Sequence, residues 1–104
     1  MPTTLKDHFL REYRYSTWAN REILTALGRL EVPPPRARVW MAHIIAAETL
    51  WIDRITGAAT GIPVWPEWTP EECVPNLQAV NARWKAFLSE ATLERLESVL
   101  FYTN

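Results

Sequence analysis

Met41-Ala42-His43-Ile44-Ile45-Ala46-Ala47-Glu48-Thr49-Leu50-Trp51 is apolar at nearly every position, yet it carries a histidine in its midst. On a 3.6-residue period the same-face neighbours of His43 are Val39, Trp40, Ala46, Ala47 and Leu50. The imidazole is therefore expected to project inward, with two alanines leaving room around it. A neutral imidazole in such a hollow suits a metal, but one histidine cannot hold a divalent ion by itself. The other histidine is His8, near the start of the preceding helix, where it reads as a surface residue.

Outward from this stretch, the helix is predicted to run from about Arg36 to Thr56 and to stop at Gly57, a residue suited to a left-handed cap. Upstream, Leu5, Phe9, Tyr13, Ser16, Asn20, Ile23, Leu27 and Leu30 recur at spacings of three and four, the seam of one long amphipathic helix. Thr3 or Thr4 caps its start, and Pro33-Pro34-Pro35 ends it near Leu30. Downstream, residues 57–69 hold two glycines and two prolines and mark a long surface connection. Trp65 and Trp68 are expected to pin it to the bundle. Thr69-Pro70-Glu71-Glu72 has the order of a capping box, so a turn of helix begins there. Pro75 is expected to interrupt it before a third helix, carrying Leu77, Val80, Trp84, Phe87 and Leu88, reaches about Ser89. Leu93, Leu96, Val99 and Leu100 suggest a further short helical piece, and Val99 to Tyr102 can equally be extended. The expected fold is all-α: residues 1–104 form a single antiparallel helical bundle of three main helices.

The chain's 104 residues suit one small domain, and 48% apolar residues with six tryptophans supply a core. A net charge of −1 provides no electrostatic footprint for nucleic acid or anionic membranes, so neither is expected as a partner. Cys73, the single cysteine, fits a reducing compartment, and no stretch reads as a signal peptide or membrane span. A cytoplasmic location is the expectation.

Tyr15-Ser16-Thr17-Trp18-Ala19-Asn20-Arg21 on the first helix, His43 with Ala47, Glu48, Trp51 and Arg54 on the second, Gly57, and Trp84 with Phe87 on the third together resemble the DinB-like (DinB/YfiT) superfamily. The resemblance spans the whole chain. It implies a four-helix bundle, commonly dimeric, with a divalent metal (Zn, Ni, Fe or Mn) held by three histidines, His43 matching the ligand on the second helix. The family's other two ligands form a His-x-x-x-His pair on the last helix. This sequence has no such pair, so the resemblance implies a member truncated before that helix, with an incomplete site that either holds the metal or lacks it. The activities it implies are those of a metal-dependent thiol S-transferase or a hydrolase-like enzyme acting on a thiol or other small molecule.

Each candidate also has a plainer reading. Spacing alone favours a hydrogen-bonded core histidine at His43. Asn20, on the first helix's seam, either orients a ligand across from His43 or is a buried amide that fixes packing. Ala46, Ala47 and Leu50 complete the expected pocket lining around His43. Glu48 lies about 140° around the helix from His43, too far to share its ion, and a salt bridge or hydrogen bond within the bundle suits it better. Asp53 and Arg54 read as solvated or bridging charges. Trp18, Trp40, Trp51 and Trp84 line either a substrate cavity or a core. Glutamates beside Cys73 oppose activation of its thiol. The alternative to a metalloprotein is a non-catalytic module that homodimerises to cover the inward stripes of Leu24 or Leu27, Leu50 and Phe87.

Overall fold

The structure is a computed structural model and describes residues 4–97. Four helices form, α1 (Leu5–Gly28), α2 (Pro35–Thr56), α3 (Pro70–Glu90) and the short α4 (Leu93–Glu97), with no strand among the described residues. This is the expected all-α bundle of three main helices. The expected choice between helix and strand over Val99–Tyr102 lies outside the described residues.

Local chemistry sets the helix starts. Thr4 accepts from the Asp7 amide while the Asp7 carboxylate accepts from the Thr4 amide, satisfying two donors that the first turn otherwise leaves open. Thr69 and Glu72 repeat the arrangement at α3. Pro35 opens α2, where its missing N–H costs nothing, and Gly57 closes it at φ 77°, a left-handed value that glycine adopts without strain. The predicted break at Pro75 does not occur, and α3 runs through it. The ring forfeits one bond, to the Glu71 carbonyl a turn earlier, and that end of the helix is exposed so that water can replace the donor.

α1 runs antiparallel to α3: Lys6 Nζ donates to the Ser89 carbonyl and Tyr13 Oη to the Asn81 carbonyl. The short link over 29–34 also makes α1 antiparallel to α2. It follows that α2 and α3 point the same way, and residues 57–69 must carry the chain back along α2 before α3 begins.

Leu24 and Leu27 from α1, Met41, Ala42, Ile45 and Ile52 from α2, and Cys73, Leu77 and Val80 from α3 form the core, flanked by Trp68, Trp84 and Phe87. Leu24 and Leu27, expected in an uncovered stripe, are covered within the chain itself. The inward face of α2 is Met41, Ala42, Ile45, Ala46, Thr49, Ile52 and Asp53, whereas Val39 and Trp40 are exposed. His43, two residues from the fully buried Ile45, therefore sits about 160° away around the helix. The expected inward stripe of α2 is rotated: the methyl-sized Ala42 and Ala46 pack against the neighbouring helices, and the bulkier Trp40 and His43 meet the connection outside.

Asp53 is 5% exposed and joins three segments. Its carboxylate pairs with Arg83 of α3 at 2.7 Å and accepts from the Thr60 hydroxyl at 2.7 Å and the Thr60 amide at 3.3 Å. Burial pushes the Asp53 carboxyl up, but hydrogen bonds from Thr60 and Arg83 with the Arg83 charge together outweigh it and hold the group below its ordinary 3.8. With the folded-state value depressed, the stabilisation is present above the ordinary pKa and is lost as pH falls through the lowered one. Asp53→Asn is predicted to cost about 2 kcal/mol at neutral pH. Urea denaturation over an acid series should show the penalty shrinking as the wild-type carboxylate protonates; an unchanged midpoint at neutral pH contradicts this role.

Candidate functional site

α1 and α2 each lie along α3 and touch one another little, which leaves an open cleft between them with α3 as its floor. Its volume is about 510 Å³, within the range of small-molecule sites. The walls repeat at helical spacing: Phe9, Tyr13, Ser16 and Thr17 from α1, Glu48, Trp51 and Ile55 from α2, and Trp84 and Phe87 from α3. Arg95 of α4 closes one end, donating to the Ile55 carbonyl with its guanidinium 6.0 Å over the Phe87 ring.

Against these apolar walls the polar atoms stand out. Glu48 Oε1 accepts from Asn20 Nδ2 at 3.1 Å and from Ser16 Oγ at 3.4 Å, which ties α2 to α1. The indole of Trp84 donates to the Glu48 carbonyl at 3.1 Å, so α3 is tied to the same residue. Burial pushes the Glu48 carboxyl above its ordinary 4.5, and the hydrogen bonds from Asn20 and Ser16 only partly offset it. Since the folded-state value is raised, ionised Glu48 costs stability, a cost absent below the ordinary pKa and growing as pH rises through the raised one. Thr17 Oγ1 is buried against the cleft with no hydrogen-bond partner among the described residues.

His43 lies elsewhere. Its ring stacks on Trp65 of the connection, centroids 3.7 Å apart and planes 11° from parallel, with the edge of Trp40 at 5.7 Å. Nδ1 is 2.8 Å from the Val64 carbonyl; a carbonyl only accepts, so Nδ1 carries the hydrogen and Nε2 the lone pair. The expectation that His43 faces the bundle interior opposite Asn20 is corrected by these contacts: Asn20 is buried and bonded to Glu48, while His43 holds the returning connection. Ala46 is buried in the helix packing, and Ala47 and Leu50 are half-buried on α2; none of these three, nor Asn20, is among the residues lining the cleft.

Of the four tryptophans set apart by sequence, Trp51 and Trp84 line the cleft and Trp18 and Trp40 are exposed. Of the salt bridge or hydrogen bond expected of Glu48 within the bundle, the structure has hydrogen bonds, from Asn20 and Ser16. Cys73 is buried, and that burial, followed by Glu72 and Glu71, pushes its thiol up to about 11, so it is no nucleophile at neutral pH.

Among the described residues no three His, Cys, Asp or Glu side chains gather to hold an ion, and residues 1–3 and 98–104 contain none of these types. His43 fits one ligand position, its Nδ1–H bonded to a carbonyl as ligating histidines commonly are, but the chain's own residues do not complete a metal centre around it. No helix among the described residues is long and apolar enough to cross a membrane. No family model, curated protein or solved structure matches the chain.

His43→Ala removes both the stack and the Val64 bond. It is predicted to destabilise the fold by about 1–2 kcal/mol and to speed hydrogen exchange in residues 61–66 ahead of the helices. Exchange in that segment matching the wild type would show that His43 does not anchor it.

Proposed function

We propose that the chain is a DinB-like helical-bundle protein, cytoplasmic, that binds a small apolar molecule in the cleft between α1, α2 and α3. The observation that carries this reading is the pairing of aromatic walls with a half-buried carboxylate, Glu48, and a buried hydroxyl, Thr17 Oγ1, that has no hydrogen-bond partner among the described residues. A core that only needed to be stable gains nothing from an orphaned hydroxyl beside an open cavity. Binding sites, by contrast, combine apolar walls with a few polar groups that orient the ligand.

The family resemblance extends this to a metal-dependent thiol S-transferase or hydrolase-like activity. His43 supports that extension as a single ligand with its Nε2 lone pair set by the Val64 bond. The remaining ligands would have to come from another polypeptide segment.

Thr17→Leu tests the cleft, because it fills the space and replaces the orphaned hydroxyl. The neutral dye Nile red should bind the wild type at one site per chain, unaffected by chelator, and bind the variant at least several-fold more weakly. The variant itself should be more stable by about 1 kcal/mol. Dye binding unchanged by Thr17→Leu would mean that the cleft is not the site.

A homodimer is a second reading, favoured by Tyr15 and Trp18, which are 66% and 57% exposed and adjacent at 6.0 Å on the outer side of α1. Sedimentation in high salt with chelator should show a dimer that Trp18→Ala weakens. A compact monomer at micromolar concentration contradicts it.

A further inference from the structure

The cleft's charged groups are unequally distributed. Two carboxylates, Glu12 and Glu48, line it against one cation, Arg95. Arg95 is occupied at its own end by the Ile55 carbonyl and the Phe87 ring. Ile55 and Glu48 are seven residues apart on α2, so about 10 Å of helix separates that end from the Glu48 carboxylate. Tyr13, the remaining titratable group on the lining, donates its hydroxyl to the Asn81 carbonyl and so adds no charge.

Among the described residues Glu48 therefore has no cationic partner, and both of its side-chain hydrogen bonds fall on Oε1. Oε2 has no partner among the described residues. A half-buried carboxylate with a free oxygen, walled by Trp84, Trp51 and Phe87, calls for a donor that is also positively charged.

We infer that the cleft binds a small organic amine, its ammonium group paired with Glu48 and its apolar body against the aromatic walls. The inference rests on the cleft being a binding site and adds the ligand's chemical class. The ammonium donates to Glu48 Oε2. The aromatic rings contribute through apolar contact; Arg54 already lies 4.9 Å over Trp51 and Arg95 6.0 Å over Phe87. A carboxylate ligand is disfavoured at this end by Glu48 and Glu12 together.

Three molecules of similar size separate these contributions: phenethylamine, the neutral phenethyl alcohol, and the anionic hydrocinnamate, each titrated into the intact chain by calorimetry at neutral pH. Phenethylamine should bind about tenfold or more tighter than the alcohol, and hydrocinnamate weakest. Glu48→Gln, which keeps a side chain able to bond with Asn20 and Ser16, should bring the amine down to the alcohol's affinity. Equal affinity for amine and alcohol, or a preference for hydrocinnamate, overturns the amine while leaving the cleft as a site. An amine preference that survives Glu48→Gln also overturns it. If none of the three binds but Nile red does, the ligand class is wrong; if Nile red fails as well, both readings fall. The wild-type comparison stands by itself even where the variant folds poorly.

Discussion

The packing of α3 against both α1 and α2 is the constraint on which the remaining structure depends. Because α2 and α3 run in the same direction, the chain must return along the outside of α2, and the 57–69 connection does so under the hold of His43, Trp65 and Asp53. Because α3 takes the inward faces of both partners, α1 and α2 are left to face each other across open space. At one end Leu24 and Leu27 of α1 share the core with α2, and at the cleft the two helices are joined by Glu48, whose side chain bonds α1 and whose carbonyl accepts from α3. The cleft is thus a consequence of topology, and its polarity is a consequence of where Glu48 falls on α2.

This arrangement sets stability against use. The Asp53 group shows how the same fold treats a buried carboxylate that serves structure: it receives an arginine and two donors from Thr60, and its ionised form is favoured. Glu48 receives an amide and a distant hydroxyl and no cation, and its ionised form is disfavoured. Two acidic residues five positions apart on one helix are thereby separated into an anchor and an unfinished site. The difference lies in their neighbours rather than in their chemistry, which is the usual way a protein assigns roles to identical groups.

Much of this was legible in the sequence. The capping box at Thr69, the choice of Thr3 or Thr4 as the first cap, the glycine at 57 and the prolines before Arg36 all act locally, and they mark the helix boundaries to within about two residues, with Thr4 the cap. The rotation of α2 was not legible. Met41 to Leu50 is apolar on nearly every side, so its periodicity does not select a face, and only the fit of Ala42 and Ala46 against other helices does so. Misplacing that face turned His43 inward in the reading, when Trp65, more than twenty residues away, draws it outward. Pro75 does not break α3 because it lies near an exposed helix end, where water can replace the bond its ring forfeits. The cleft was hidden for a different reason: Phe9, Tyr13 and Ser16, Trp51 and Ile55, and Trp84 and Phe87 carry the spacing of a core, and a cavity wall and a packed core share that signature. Asp53 reads in sequence as a solvated or bridging charge and proves to bridge, but its partner Arg83 carried no signal, since pairing across thirty residues is a property of the fold.

The most direct test is the set of indole N–H resonances in a nitrogen-resolved proton spectrum, one from each of the six tryptophans. As phenethylamine is added, the signals of Trp51 and Trp84 should move together and saturate, while those of Trp18, Trp40, Trp65 and Trp68 stay in place. Movement confined to Trp40 and Trp65 would put the ligand at His43 instead, and contradict the cleft as the working site.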